Sequence, residues 1–193
     1  MKLHAIVLCL VVAGCAKPAL TPEQLLDYEN TTLYTCCNIH YDGDTLSDAN
    51  YHVGTTMPLG TSVKITGVVK KNGFTFTAGP MTFTMYLLHG SQQETMPLYI
   101  DKIFLREDPA PLITRYSEEV QDAIRESRVE RGMTREQVIF SVGYPPTQHT
   151  PKIAADEWTY WYNQWVTYQV VFADDKVTNI IGSSAPTRGL TVH

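Results

Sequence analysis

Two prolines in the run Arg106-Glu107-Asp108-Pro109-Ala110-Pro111 constrain this chain more than any other feature. Each removes an amide donor and fixes φ, so no regular strand or helix passes through them. The chain therefore reads as two units, 31–108 and 112–184, with different periodicities. A hydrophobic fraction of 44% and an aromatic fraction of 10% are enough to give each a folded core.

The first unit reads as β. Its runs are Leu33 to Ile39, Thr61 to Val69, Thr75 to Thr77, Met81 to Leu87 and Tyr99 to Leu105. They are rich in β-branched and aromatic residues and are punctuated by Gly60, Asn72-Gly73, Gly79-Pro80 and Gly90. Asn72-Gly73 predicts a type I′ hairpin turn, because both central positions of that turn need positive φ. Pro58 to Ile65 resembles the second strand of SH3-like bacterial barrels. A small barrel or sandwich is expected.

The second unit reads as ααβββ. Ser117 caps a helix with Glu118 and Glu119 in its first turn, Arg125, Arg128 and Arg131 toward its negative end, and Gly132 as its stop. Thr134 with Gln137 forms a capping box for a second helix, closed by Gly143 and Pro145-Pro146. Period-2 runs over Glu157 to Tyr162, Trp165 to Phe172 and Lys176 to Ile181 follow. Asn163-Gln164 and Ala173-Asp174-Asp175 join them as hairpin turns, giving a three-stranded antiparallel meander. The fold class is α+β.

The N-terminus precedes either unit. Lys2 and the apolar stretch from Ala5 to Val12 form a segment too short to cross a bilayer as a stable helix, which reads as a signal peptide over 1–14. It ends in Val12-Ala13-Gly14-Cys15, which resembles the bacterial lipobox. Cleavage before Cys15 and acylation of its thiol would tether the chain to membrane lipid, since two or more acyl chains hold a protein durably. Ala16 in place of an acidic residue favours the outer membrane, with the body facing the periplasm. Residues 15–30, with Pro18 and Pro22, read as lipidated N-terminus and linker, in which Thr21 or Pro22 can start a short helix; 185–193 read as a tail.

Four cysteines reduce to the adjacent pair Cys36 and Cys37 once Cys9 leaves with the signal and Cys15 is acylated. In a compartment where disulfides persist, they are candidates for a vicinal disulfide, for bonds to another molecule, or for free thiols. His40 completes Cys-Cys-x-x-His, but the paired CxxC elements of a zinc site are missing, so no metal is expected. Asp42, Asp44 and Asp48 imitate a calcium loop, yet position 12 counted from Asp42 is Val53, so the segment reads as an ordinary turn. A net charge of −5 without a basic cluster argues against a nucleic-acid partner.

Gly132-Met133-Thr134-x-x-Gln137-Val138, Gly143-x-Pro145, Trp158-x-Tyr160, Val170-x-Phe172 and Val177 together resemble the SmpA/OmlA (BamE-like) family of small outer-membrane lipoproteins, over roughly Ser117 to Gly182. The resemblance implies two helices packed on a three-stranded sheet, no catalysis, no cofactor, and a supporting role in the complex that inserts β-barrel proteins into the outer membrane. The two-residue Asn163-Gln164 connection is shorter than the polar loop of the assembly-factor members, and a long β-rich segment precedes the domain. An architectural lipoprotein of another envelope machine, or a cell-wall or ligand-binding module, is the alternative.

Alternation assigns Tyr160, Val170 and Phe172 to the core and puts Trp161 and Trp165 on the opposite face as candidate partner contacts. His40, His52, His89 and His149 lie in separate segments with no Gly-x-Ser-x-Gly, His-Glu-x-x-His or phosphate loop, so no enzyme is expected. The sequence reads as a non-catalytic accessory or scaffolding subunit with a protein partner in the cell envelope.

Overall fold

A computed structural model describes residues 20–90 and 94–182. The segment read as a signal peptide, Cys15 and the residues read as a tail lie outside the described residues. Among those described, no helix is long and apolar enough to cross a membrane.

The chain enters through helix α1 (Pro22–Asn30), started by a capping box in which the Thr21 hydroxyl accepts the Gln24 amide and Gln24 Oε1 accepts the Thr21 amide. Tyr28 is buried and its hydroxyl donates to Asp101 at 2.7 Å, while Leu20 and Leu25 pack on the β core. The segment read as linker is thus part of the fold from Leu20 onward.

Six strands form a sheet curled into a half-barrel: β1 (Leu33–Thr35), β3 (Thr45–Ser47), β5 (Ser62–Val69), β6 (Gly73–Ala78), β7 (Met81–Tyr86) and β8 (Phe104–Leu105). Their order is β3-β7-β6-β5-β1-β8, with only β3 and β7 parallel. The short β2 (Ile39–Tyr41) and β4 (Thr55–Met57) pair with each other beside it. The expected small barrel or sandwich takes the form of a half-barrel whose two edges are strands of only three and two residues. Edges that short offer little for another chain to pair with. Phe74, Phe76, Phe83 and Phe104 fill the concave side, each burial removing apolar area worth about 2 kcal/mol.

Three local expectations change in this half. Leu33 to Ile39 is not one strand, because Cys36 to Asn38 bend the chain between β1 and β2. The run read as a strand from Tyr99 is helix α2 (Met96–Ile103) up to Ile103, leaving only β8 extended. Met96, Tyr99, Ile100 and Ile103 all lie on its buried face at helical spacing, and Pro97 sits in the first turn. The β5–β6 turn carries its left-handed residues one place earlier than expected, at Lys71 (φ 65°) and Asn72 (φ 58°). Gly73 is required for another reason: a Cβ there would lie 2.7 Å from the Tyr86 ring and 2.9 Å from the Met85 carbonyl oxygen.

Past Pro109, a 3₁₀ turn (Ala110–Arg115) leads into α3 (Glu118–Arg125) and α4 (Arg135–Val142). The first of these stops at Arg125, well short of Gly132, so Arg128 and Arg131 lie beyond it. The second has the full Thr134/Gln137 capping box and ends on Gly143 at φ 84°. The strands β9 (Glu157–Trp161), β10 (Thr167–Ala173) and β11 (Lys176–Gly182) form the antiparallel meander in the order β11-β10-β9. Asp174 (φ 51°) and Asp175 (φ 61°) make the second hairpin turn with positive φ at both central residues. Trp158, Tyr160, Val170 and Phe172 pack against Val138 and Ile124 beneath the helices. Each half thus has its own apolar cluster, with one exchange in each direction: Leu59 belongs to the second, and Tyr144 packs against the first.

Candidate functional site

The halves are joined through polar side chains that the loops between β1 and β4 carry into the C-terminal unit. Asn38, 2% exposed, donates from Nδ2 to the carbonyl oxygens of Ile124 (2.6 Å) and Ser141 (3.0 Å), while its Oδ1 accepts the Leu59 amide at 2.9 Å. Its backbone amide also donates to the Phe140 carbonyl. Asn50, held at φ 45°, donates from Nδ2 to the carbonyls of Asn38 and Val142 and accepts the His40 amide. The Phe140, Ser141 and Val142 carbonyls belong to the last turn of α4, where such groups have no partner within their own helix, and that of Ile124 lies at the end of α3.

His52 enters the same seam. Its Nδ1 lies 3.0 Å from the Tyr168 hydroxyl and its Nε2 3.4 Å from the Val142 carbonyl oxygen. One neutral tautomer serves both: Nε2–H donates to the carbonyl and Nδ1 accepts from the tyrosine. The His40 ring is 4.9 Å away. Burial pushes the His52 imidazole down to about 3, with the neighbouring His40 adding to it, and burial alone brings His40 to about 4. Both rings are neutral at physiological pH. Tyr160 stacks on Tyr168 at 5.3 Å and donates to the Gly143 carbonyl, completing the aromatic wall.

Beside this seam the β-rich half opens a cleft of about 280 Å³ between β2, β3, the end of β7 and the loops carrying Tyr51 and His89. His40, Ser47, Tyr51, Tyr86 and His89 line it. Tyr51 and His89 meet across one side, hydroxyl to Nε2, at 3.3 Å. Asp48, one residue beyond Ser47, is buried and accepts the amides of Leu88, His89 and Gly90, which fixes the far wall. It therefore binds backbone and holds a loop, as an ordinary turn carboxylate does. Among the described residues no three His, Cys, Asp or Glu side chains gather as a metal site.

The residues singled out from the sequence are dispersed. Trp165 is 82% exposed at the tip of the β9–β10 hairpin. Asn163 Oδ1 accepts the amides of Trp165 (2.8 Å) and Val166 (3.0 Å), and the Tyr162 amide donates to the Val166 carbonyl, so the turn is longer than the two residues expected. Trp161 does not join it at the surface. It does lie on the face away from the helices, opposite Thr167, but Tyr51, His89 and His149 of neighbouring loops pack over it. That face is half covered by the rest of the molecule, which alternation within one strand does not reveal. Cys36 and Cys37 are both buried free thiols in the bend after β1, away from Trp165. Burial, then a hydrogen bond donated by the Cys36 thiol to Cys37, pushes the Cys36 thiol up and keeps it protonated.

The sequence gives no sign of Asn38 and Asn50, whose partners lie dozens of residues away. His40, His52 and His89 stood out as isolated histidines and come together here along one seam and its cleft. Comparison of the chain with family models, curated proteins and solved structures finds no match.

Proposed function

We propose that this chain is a non-catalytic lipoprotein, anchored in the outer membrane through acyl chains on Cys15, that serves as an accessory or scaffolding subunit of an envelope complex. The observation that carries the reading is Trp165, a large aromatic side chain 82% exposed on a turn braced by Asn163. A rigid exposed tryptophan is the residue type that most often anchors a protein interface. Ile181, 48% exposed on β11 opposite Gln169, is a second exposed apolar side chain of the same sheet. The order α3-α4-β9-β10-β11 is the ααβββ order read from the sequence; the SmpA/OmlA resemblance, carried by the sequence motifs alone, directs the partner reading to the β-barrel assembly complex. Tethering adds to a modest interface, because a protein confined to the membrane meets its partner at high effective concentration.

Two variants test the parts separately. Cys15→Ala is expected to move the protein from the membrane fraction to the soluble fraction; retention with continued palmitate incorporation contradicts the anchor. Trp165→Ala, in acylated protein of unchanged melting temperature, is expected to lose barrel-assembly subunits that co-purify with the parent chain. If those subunits never co-purify with the parent, the barrel-assembly assignment fails. If they co-purify equally with both, Trp165 is not the anchor.

A further inference from the structure

We propose that the outer face of α1, carried by Pro22 and Leu26, lies on a zwitterionic lipid surface and stands the body on it with the C-terminal unit directed away. The inference rests on the acyl anchor at Cys15 proposed above and adds an orientation to it. Chain length limits where the anchor can be. Five residue steps separate Cys15 from Leu20, the first described residue, so even a fully extended chain puts them no more than about 18 Å apart. A body of this size is about 40 Å across. The tether is shorter than the body, so the side carrying Leu20 stays next to the lipid and the far side cannot reach it. α1 is fastened to that side: Leu20 and Leu25 pack on the β core, the buried Tyr28 donates its hydroxyl to Asp101, and Asp27 pairs with Arg106.

Pro22 and Leu26, four residues apart and so one turn from each other, point away from the core, both exposed and Leu26 at 60%. Single exposed leucines are ordinary on a protein surface. This one stands on the helix that the tether holds beside the lipid. Charge selects the surface: α1 carries Glu23, Asp27 and Glu29 and no lysine or arginine. Anionic lipid attracts basic segments and repels acidic ones, so the contact is apolar and suits zwitterionic headgroups. The other end of the body follows from the fold. β1 leaves α1 at Leu33 and runs to the Cys36–Asn38 bend, where Asn38 enters the C-terminal unit. With α1 and that unit at opposite ends of β1, Trp165 is carried on the end away from the lipid.

The test places a fluorescent amino acid at position 26 or 165 of the full acylated chain, reconstituted in phosphatidylcholine vesicles whose lipids carry a shallow doxyl quencher. The apolar face of an interfacial helix sits about 5–10 Å into the headgroup boundary, within reach of that quencher. The expected result is blue-shifted, quenched emission from 26 and unshifted, unquenched emission from 165. Adding phosphatidylglycerol should lower the quenching at 26. In the parent chain, amide exchange across residues 22–30 should slow on vesicles relative to the soluble Cys15→Ala protein, while that of residues 163–166 is unchanged; this readout needs no substitution in α1. If the acylated protein does not float with the vesicles, the anchor reading fails and the orientation with it. If it floats but 26 reports water, or 26 and 165 are quenched alike, or quenching at 26 rises with phosphatidylglycerol, the anchor stands and the orientation is overturned.

Discussion

At the residue scale, Asn38 and His52 bind the molecule together. Replacing Asn38 with alanine removes the side-chain partner of the buried Ser141 carbonyl and Leu59 amide, while the Ile124 carbonyl keeps the Ser127 amide. Leaving such buried groups unpaired should cost about 3 kcal/mol in urea denaturation, whereas a loss under about 1 kcal/mol would show that water replaces the side chain. The histidines give a signed pH dependence. Their folded values, about 4 for His40 and about 3 for His52, lie below the ordinary 6.5. Between those values the unfolded chain binds protons that the folded chain excludes, so their contribution is complete above about pH 6.5 and declines as the pH falls toward 4. Denaturation midpoints over that range should show the decline, and His52→Phe should flatten it. Neither residue's role could be read from the chain, because each depends on groups from the distant C-terminal unit. Tyr160, Val170 and Phe172 could be, because alternation alone puts them on one face and that face is buried.

Elements were legible where the local signal was self-contained. The Thr134/Gln137 box and Gly143 delimit α4 by short-range hydrogen bonding and φ preference, and the helix forms there. Thr134→Ala should lower stability by about 1 kcal/mol. Where the signal was composition, it misled: Tyr99, Ile100, Ile103 and Phe104 are good strand residues, yet their spacing with Met96 makes one helical face until the chain extends at Phe104. The Cys36–Asn38 bend has no turn residue until Asn38, and only its partners across the seam account for it. Gly73→Ala tests a steric prediction of the same kind. The new methyl would strike Tyr86 and the Met85 backbone, so a loss of about 1–3 kcal/mol is expected, and a neutral or stabilising change would contradict the packing described.

For the whole molecule, two apolar clusters meet through Leu59, Tyr144 and the asparagine seam. Composition and prolines told the two halves apart in the sequence; their contact, and with it the covering of Trp161, was not there to be read. Trp165, 82% exposed at the hairpin tip, is the side chain to which the proposed envelope partner is assigned. The most direct measurement is photocrosslinking in living cells from an amino acid placed at position 165, with position 68, an exposed apolar site on the β-rich half, as the control. The account predicts a discrete adduct with a barrel-assembly subunit from 165 that is absent from 68 and lost with Cys15→Ala. Equal labelling from both positions, or no envelope adduct from 165 in acylated protein, would contradict it.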